Sequence, residues 1–160
     1  MDARRRFCTF NLDQLWFGIP VERVQEVIAS PAVTPVPLAP RAVAGLANLR
    51  GQIVTVIDPR PCLGFEERPA TMRPAMVVVR SENANVGLLI DEIGELVEAP
   101  ENGFEAAPCN LPAGPRELVP MVCKFPKRLL HLLDLDRVLR GGGSEVQSGK
   151  TLKRTGDFAD

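Results

Sequence analysis

The chain has 160 residues, 45% of them apolar and 24% charged, with a formal net charge of -1. That is enough for one domain burying about 70% of the surface its unfolded form exposes, and the near-zero charge with only 5% aromatic residues supplies neither the basic stripe nor the stacking platform that nucleic-acid binding needs. No apolar run approaches the length of a bilayer span and no apolar leader follows the first residues, so the expectation is a cytoplasmic protein with no direct membrane insertion.

Arg4-Arg5-Arg6 is too short to alter that balance and reads as a solvated tag of charge. Phe7–Leu12 and Leu15–Ile19 flank Asp13-Gln14 and predict a hairpin. In "VERVQEVIA" (Val21–Ala29) the positions of Val21, Val24 and Ile28 fit a helix, but the β-branched content favours a turn leading into a strand. Prolines at 31, 35, 37 and 40 force Ser30–Pro40 to be extended. "RAVAG" (Arg41–Gly45) is short enough for a single helical turn, and "GLANLRGQIVTVID" (Gly45–Asp58) reads as two apolar strands meeting at a turn.

Ala75–Arg80 and Val86–Ile90 bracket "SENAN" as a further hairpin, and Gly103–Leu118 is a long proline-containing loop. Val119–Phe125 and Arg128–Asp134 form a last hairpin around Pro126-Lys127, with a short helix at Leu135–Leu139. Gly141-Gly142-Gly143 opens a flexible polar tail, 141–160, poor in core-forming residues. Cys8, Cys62, Cys109 and Cys123 show no CxxC spacing, and His131 is the only histidine, so the thiols are expected to be reduced and no metal site is expected.

Short strands at close spacing point to small barrels rather than βαβ units. An internal repeat sharpens this. "GIPVERVQEV" (Gly18–Val27) aligns without gaps on "GLLIDEIGEL" (Gly87–Leu96), placing Glu22 on Asp91, Val24 on Ile93 and Glu26 on Glu95. "IVTVID" (Ile53–Asp58) aligns on "LLHLLD" (Leu129–Asp134). Two related units of this size suggest a pair of small β-barrels sharing a core.

Enzymatic signals are weak. "GGGSEVQSGKT" has five residues between Gly143 and Gly149 where a P-loop has four, and neither a strand before it nor room for a helix after it. The acids of "DEIGELVE" (Asp91, Glu92, Glu95, Glu98) alternate with apolar residues and read as a solvated face. His131 lies among leucines and reads as a half-buried strand histidine. Asp58 and Asp134 close equivalent hairpins, each placed to cap a following helical piece, with Pro59 suited to the first helical position.

The Gly45–Asp58 hairpin is the exception. Period-two alternation puts Asn48 and Arg50 on one face, beside a turn that Gly51 permits. Such residues at a barrel rim are either anchors for a partner or members of an intramolecular ion pair with Glu26 or an acid of Asp91–Glu95; the bare sequence leaves both open.

Taken together, Phe7–Leu12, "FGIPVERVQEVI", "GLANLRGQIVTVID", "VGLLIDEIGELV" and "LLHLLDLDRVL" resemble the CheW family of coupling proteins, from about Phe7 to Leu139. The resemblance implies a mostly-β fold of two SH3-like five-stranded barrels around a common core, with short helices. The domain would span 7–140, in approximate halves 15–80 and 81–140, with strand 7–12 joining the second half. It implies a non-catalytic adaptor, without cofactor or metal, that joins the regulatory domain of a CheA-type histidine kinase to the helical cytoplasmic tip of chemoreceptors. Such a chain is expected to be monomeric alone and assembled into receptor arrays. The receptor-contacting surface maps onto Val24, Glu26, Gly45, Asn48, Arg50 and Gly51, with Val86 and Gly87 on the neighbouring groove wall. Pro59 and Pro61 depart from the family pattern and shorten the helix after Asp58; Phe125-Pro126-Lys127 also departs from it. Alternative readings are an adaptor of a twitching-motility or surface-sensing pathway, and a small-barrel hydrolase built around Asp91–Glu95 and His131.

Overall fold

Asp13 and Gln14 both take positive φ, 51° and 72°, and turn β1 (Arg4–Leu12) straight back into β2 (Leu15–Pro20), the hairpin predicted from the sequence. The computed structural model describes residues 4–82, 84–107 and 117–140; the predicted tail 141–160 and residues 108–116 of the second proline-containing loop, with Cys109, lie outside them. After a 3-10 turn at Val21–Arg23 comes β3 (Val24–Ile28), so the β-branched residues decide that segment for strand. β4 (Val43–Leu49) and β5 (Gln52–Ile57) form the apolar hairpin, and α1 (Pro59–Cys62) is a single turn. Then follow β6 (Ala75–Arg80), β7 (Asn85–Ile90), β8 (Glu92–Pro100), β9 (Phe104–Ala106), β10 (Met121–Phe125) and β11 (Arg128–Leu132), with residues 135–140 helical.

Three local expectations are corrected. Arg4–Arg6 is solvated, with Arg4 and Arg6 exposed, but it is no loose tag: it is the first third of β1, paired with Glu98–Pro100, with Arg4 bonded to Glu98 (3.2 Å) and the Arg5 guanidinium 5.2 Å from the Phe7 ring centroid. "RAVAG" makes no helical turn. Val43 already pairs with Ile57, and the Asp58 amide donates to the Ala42 carbonyl, so pairing with β5 overrides local preference. The loop after Gly103 begins with a strand, because β9 pairs with β10.

The strands form two sheets, β8-β1-β2-β11-β10-β9 and β3-β6-β7-β5-β4, the first with one strand more than the five expected. The sheets do not divide at residue 80. β2 lies with the strands of the second half, and β7 sits between β6 and β5 of the first. The internal repeat explains the exchange. β2 joins β11 in parallel with His131 opposite Phe17, and β7 joins β5 in parallel with Thr55 opposite Val86. In the sequence alignment His131 falls on Thr55 and Phe17 on Val86, so the two parallel pairings are one register used twice.

Alternation then divides the apolar side chains. In β6, Met76 and Val78 face a cluster with Ala47, Val54, Val56 and Leu89, all from the second sheet. This sheet curls on itself, because Glu26 on the outer strand β3 reaches Arg50 at the end of the opposite outer strand β4. Phe7, Trp16, Ala99, Cys123 and Leu130 form the cluster of the first sheet, which curls likewise: the Phe7 ring on β1 lies 5.4 Å from that of Phe104 on β9. The opposite faces meet in a third cluster, where Phe10, Leu12, Phe17 and Ile19 pack on Ile57, Val77, Val79, Leu88 and Ile90. Two small barrels therefore share a core. Cys8 and Cys123 are buried strand residues whose thiols burial pushes up. His131 is buried too, its Nδ1 2.9 Å from the Trp16 carbonyl oxygen.

Candidate partner-docking site

β3 and β4 are the two outer strands of the second sheet, yet Glu26 on β3 and Arg50 at the end of β4 touch. Arg50 Nη1 donates to Glu26 Oε1 at 2.8 Å and Nη2 to Oε2 at 3.3 Å. The ion pair spans the seam where the barrel closes without a hydrogen-bonded ladder. Both readings left open by the sequence thus have a place: the intramolecular pair exists, with Glu26 as its acid, while the Arg50 side chain remains 81% exposed.

The turn that carries Arg50 has a specific geometry. Arg50 (φ 52°) and Gly51 (φ 86°) form a two-residue loop between the Leu49–Gln52 pair, both with positive φ. Asn48 Oδ1 accepts the Gly51 amide at 3.0 Å, so this exposed amide side chain holds the turn. Asn48→Ala is expected to lower stability by about 1 kcal/mol through that lost bond. Urea unfolding checks this, and a change within error would mean that Asn48 is free for a partner.

The remaining predicted positions divide between rim and interior. Val24 and Val86 are half-buried and pack on the shared core. Gly45 is buried, with φ 151°, and a Cβ there would overlap the Thr34 carbonyl, whose amide and oxygen bridge to Leu46. Gly87 is buried beneath Met76 and Val56. The structure therefore brings Glu26, Asn48, Arg50 and Gly51 together at the rim and places Val24, Gly45, Val86 and Gly87 within the scaffold behind them.

Two concavities follow the seam. Gln25, Glu26, Leu49, Arg50, Gln52 and Asn85 border a polar cleft of ≈ 300 Å³. Ile28, Pro31, Leu46, Leu49, Ile53 and Met76 line an apolar groove of ≈ 490 Å³ that also reaches Asn48. Ile53, 62% exposed, and Leu46, 37% exposed, both line it and form an apolar patch. Sequence reasoning missed Leu46 and Ile53, although the inward positions of Ala47, Val54 and Val56 imply by alternation that they point outward.

A second unforeseen constellation lies at the other end of β5. The predicted solvated face holds for Glu92, Glu95 and Glu98 but not for Asp91. Its carboxylate is nine-tenths buried between two equally buried arginines. Arg60 Nε donates to Oδ1 at 3.0 Å and Nη2 to Oδ2; Arg68 Nε donates to Oδ1 at 2.8 Å. Arg68 continues to Asp58 through both terminal nitrogens, at 3.1 and 3.3 Å. Asp58 meanwhile caps α1 as predicted, accepting from the Arg60 amide, and Asp134 likewise accepts from the Arg137 amide. The Asp13 amide closes the group by donating to Asp91 Oδ2 at 2.8 Å. Nothing in the sequence joins Asp91 to Arg60 and Arg68, which lie 31 and 23 residues before it.

Burial pushes the Asp91 carboxyl up, but Arg60, the Asp13 amide and Arg68 together outweigh it and hold it below the usual carboxylate range. An acid for hydrolysis would need the opposite displacement and a free oxygen. A depressed folded value also has a sign for stability: the contribution is complete above the ordinary pKa of about 4 and is lost as pH falls through the folded value. Urea midpoints, read from the fluorescence of Trp16, are expected to hold between about pH 5 and 7 and to drop below about pH 4. The drop should be shallower in a variant lacking Asp91; equal slopes would remove Asp91 as the cause.

A family model described as CheW-like domain matches residues 6–142. The chain is 27% identical over 140 residues to Chemotaxis protein CheW of Thermotoga maritima, covering 86% of this chain and 91% of that one. It is 27% identical over 134 residues to Chemotaxis protein CheW of Bacillus subtilis, covering 84% and 86%. Protein PilI of Pseudomonas aeruginosa is 30% identical over 95 residues, 59% of this chain and 53% of that protein. The crystal structure of scaffolding protein TtCheW from Thermoanaerobacter tengcongensis superposes with a TM-score of 0.78 at 24% identity, covering 90% of this chain and 98% of that one, a likeness of fold. Among the described residues no helix is long and apolar enough to cross a membrane.

Proposed function

Since the chain belongs to the CheW-like domain family, and so to the scaffolds of chemotaxis, we propose that it is a non-catalytic adaptor coupling chemoreceptors to a CheA-type histidine kinase. The observation that carries the receptor half of this reading is the Arg50 turn. A non-glycine residue with positive φ costs of order 1–3 kcal/mol, and Asn-Gly would make the same turn with less strain. The fold alone does not need an arginine there, whereas a guanidinium held by Glu26 in a polar cleft that shares Leu49 with the apolar groove is a prepared docking group.

The groove suits the apolar face of a helix, in the helix-in-groove mode, with Ile53 and Leu46 under the helix and Arg50 fixing its register. Val24, Gly45, Val86 and Gly87 then serve the surface from behind, by shaping the strands that present it. The kinase regulatory domain would dock elsewhere on the two barrels, so that the chain bridges both partners at once. In the cell it would lie in the cytoplasm and reach the membrane only through the receptors.

Reconstitution tests the reading: the chain is added to the CheA-type kinase and receptor fragments of its own organism, and ATP turnover is followed. Activation that requires all three components supports coupling; a folded chain that binds neither partner ends the reading. A second placement of the same adaptor, in a twitching-motility or surface-sensing pathway, stands behind the first. The match to Protein PilI covers 59% of the chain, against 86% for Chemotaxis protein CheW of Thermotoga maritima.

A further inference from the structure

We infer that Asp91 is a positioning residue that sets the angle between the two barrels, and through it the geometry in which receptor and kinase are held together; the second clause rests on the adaptor reading above. Asp91 is the single residue between β7, which belongs to the second sheet, and β8, which belongs to the first. Its backbone is therefore the joint through which one barrel passes to the other. That joint is fastened on both sides. From the second barrel come Arg60, on the turn that follows β5, and Arg68, on the connection to β6. From the first barrel, the Asp13 amide in the β1–β2 turn donates to the carboxylate, and the Asn11 carbonyl accepts the Asp91 amide at 3.1 Å.

The shared apolar core draws the barrels together, but apolar burial is non-directional and tolerates small rotations between the faces. Bidentate arginine–carboxylate bonds have fixed planes and lengths, and here they act at the crossover itself. Specifying one arrangement is the best-supported use of a buried ion pair whose net stability is small.

The repeat supplies an internal comparison. The equivalent crossover, from β2 to β3, runs through Val21–Arg23, and Glu22 is the counterpart of Asp91. That crossing is held by Arg23, which donates to the Arg80 carbonyl at 2.8 Å and to Asp136 at 3.0 Å. Asp136 is the counterpart of Arg60, so the charges are reversed, and its side chain is 59% exposed. One crossing is thus clasped in the interior and the other only at the surface, where screening makes the pair weak. The buried clasp is the one able to define the angle.

The test uses two variants of the full chain, Asp91→Asn and the balanced double variant Arg60→Met/Asp91→Leu. The second removes the directional bonds without leaving a buried charge unpaired, so it remains informative if the first does not fold. Residual dipolar couplings of the backbone amides should fit one alignment tensor for both sheets in the wild type and require two in the double variant. Binding to receptor fragments and to the kinase regulatory domain, each measured alone, should change less than twofold, while kinase activation in the three-component assembly falls at least fivefold. A single unchanged tensor overturns the inference, as does full activation by the double variant or a loss of activation that merely follows lost binding. If the wild type binds neither partner, the adaptor reading fails by itself, and the dipolar couplings still decide whether Asp91 sets the angle.

Discussion

Arg60→Met is expected to lower the unfolding free energy by about 3–5 kcal/mol, the cost of breaking a buried ion pair from one side. Arg60 is 3% exposed, and its guanidinium gives three bonds: two to Asp91 and one to the Glu66 carbonyl at 2.7 Å. Without it, Asp58 and Asp91 are left with Arg68 alone, two interior carboxylates against one cation. A domain of this size has about 5–15 kcal/mol in total, so the variant stands near the edge of folding. Methionine retains most of the apolar stem that Arg60 packs, and the loss is therefore electrostatic rather than a cavity. The double variant Arg60→Met/Asp91→Leu leaves Arg68 and Asp58 as a balanced pair and should recover most of the loss. Urea unfolding of the two single variants and the double measures the coupling. Additive losses would show that Arg60 and Asp91 act independently and that the network is incidental.

This network also marks the limit of what the sequence could tell. The hairpins were legible because alternation and turns are local: "AMVVVR" must bury both faces, and Asp13-Gln14 separates two runs that pair with each other. The repeat was legible too, since Gly18 on Gly87 and Asp58 on Asp134 are identities at matching distances from strand ends, but the parallel pairings that share its register were not, because they join strands distant in the chain. Of the candidate site, Asn48, Arg50 and Gly51 stood out because a turn concentrates polar residues in a few consecutive positions, whereas Glu26, on another strand, entered as a possible acid for Arg50 and through the family resemblance. Arg60, Arg68 and Asp91 could not. Each alone looks like a surface charge, and only the crossover between sheets brings the three segments together. "RAVAG" failed for the same reason, since its strand character comes from Ile57 and not from itself.

Arg50→Glu is expected to leave the fold intact and to weaken receptor binding at least tenfold, with a matching loss of kinase activation. The stability change should stay within about 1 kcal/mol, because the Arg50–Glu26 pair is largely exposed and such pairs contribute little. An interface anchor, by contrast, costs about 2 kcal/mol or more when removed. The single variant cannot distinguish a lost contact from a seam forced open by Glu26 facing a new carboxylate. The exchange Glu26→Arg/Arg50→Glu does so, because it restores the ion pair across the seam while moving the guanidinium from the β4–β5 turn to β3. Continued weak binding by the exchanged chain identifies the guanidinium at position 50 as the docking group. Recovery of wild-type binding would mean that the pair only closes the barrel, and that the apolar groove beside it, with Ile53 and Leu46, is what the partner helix reads.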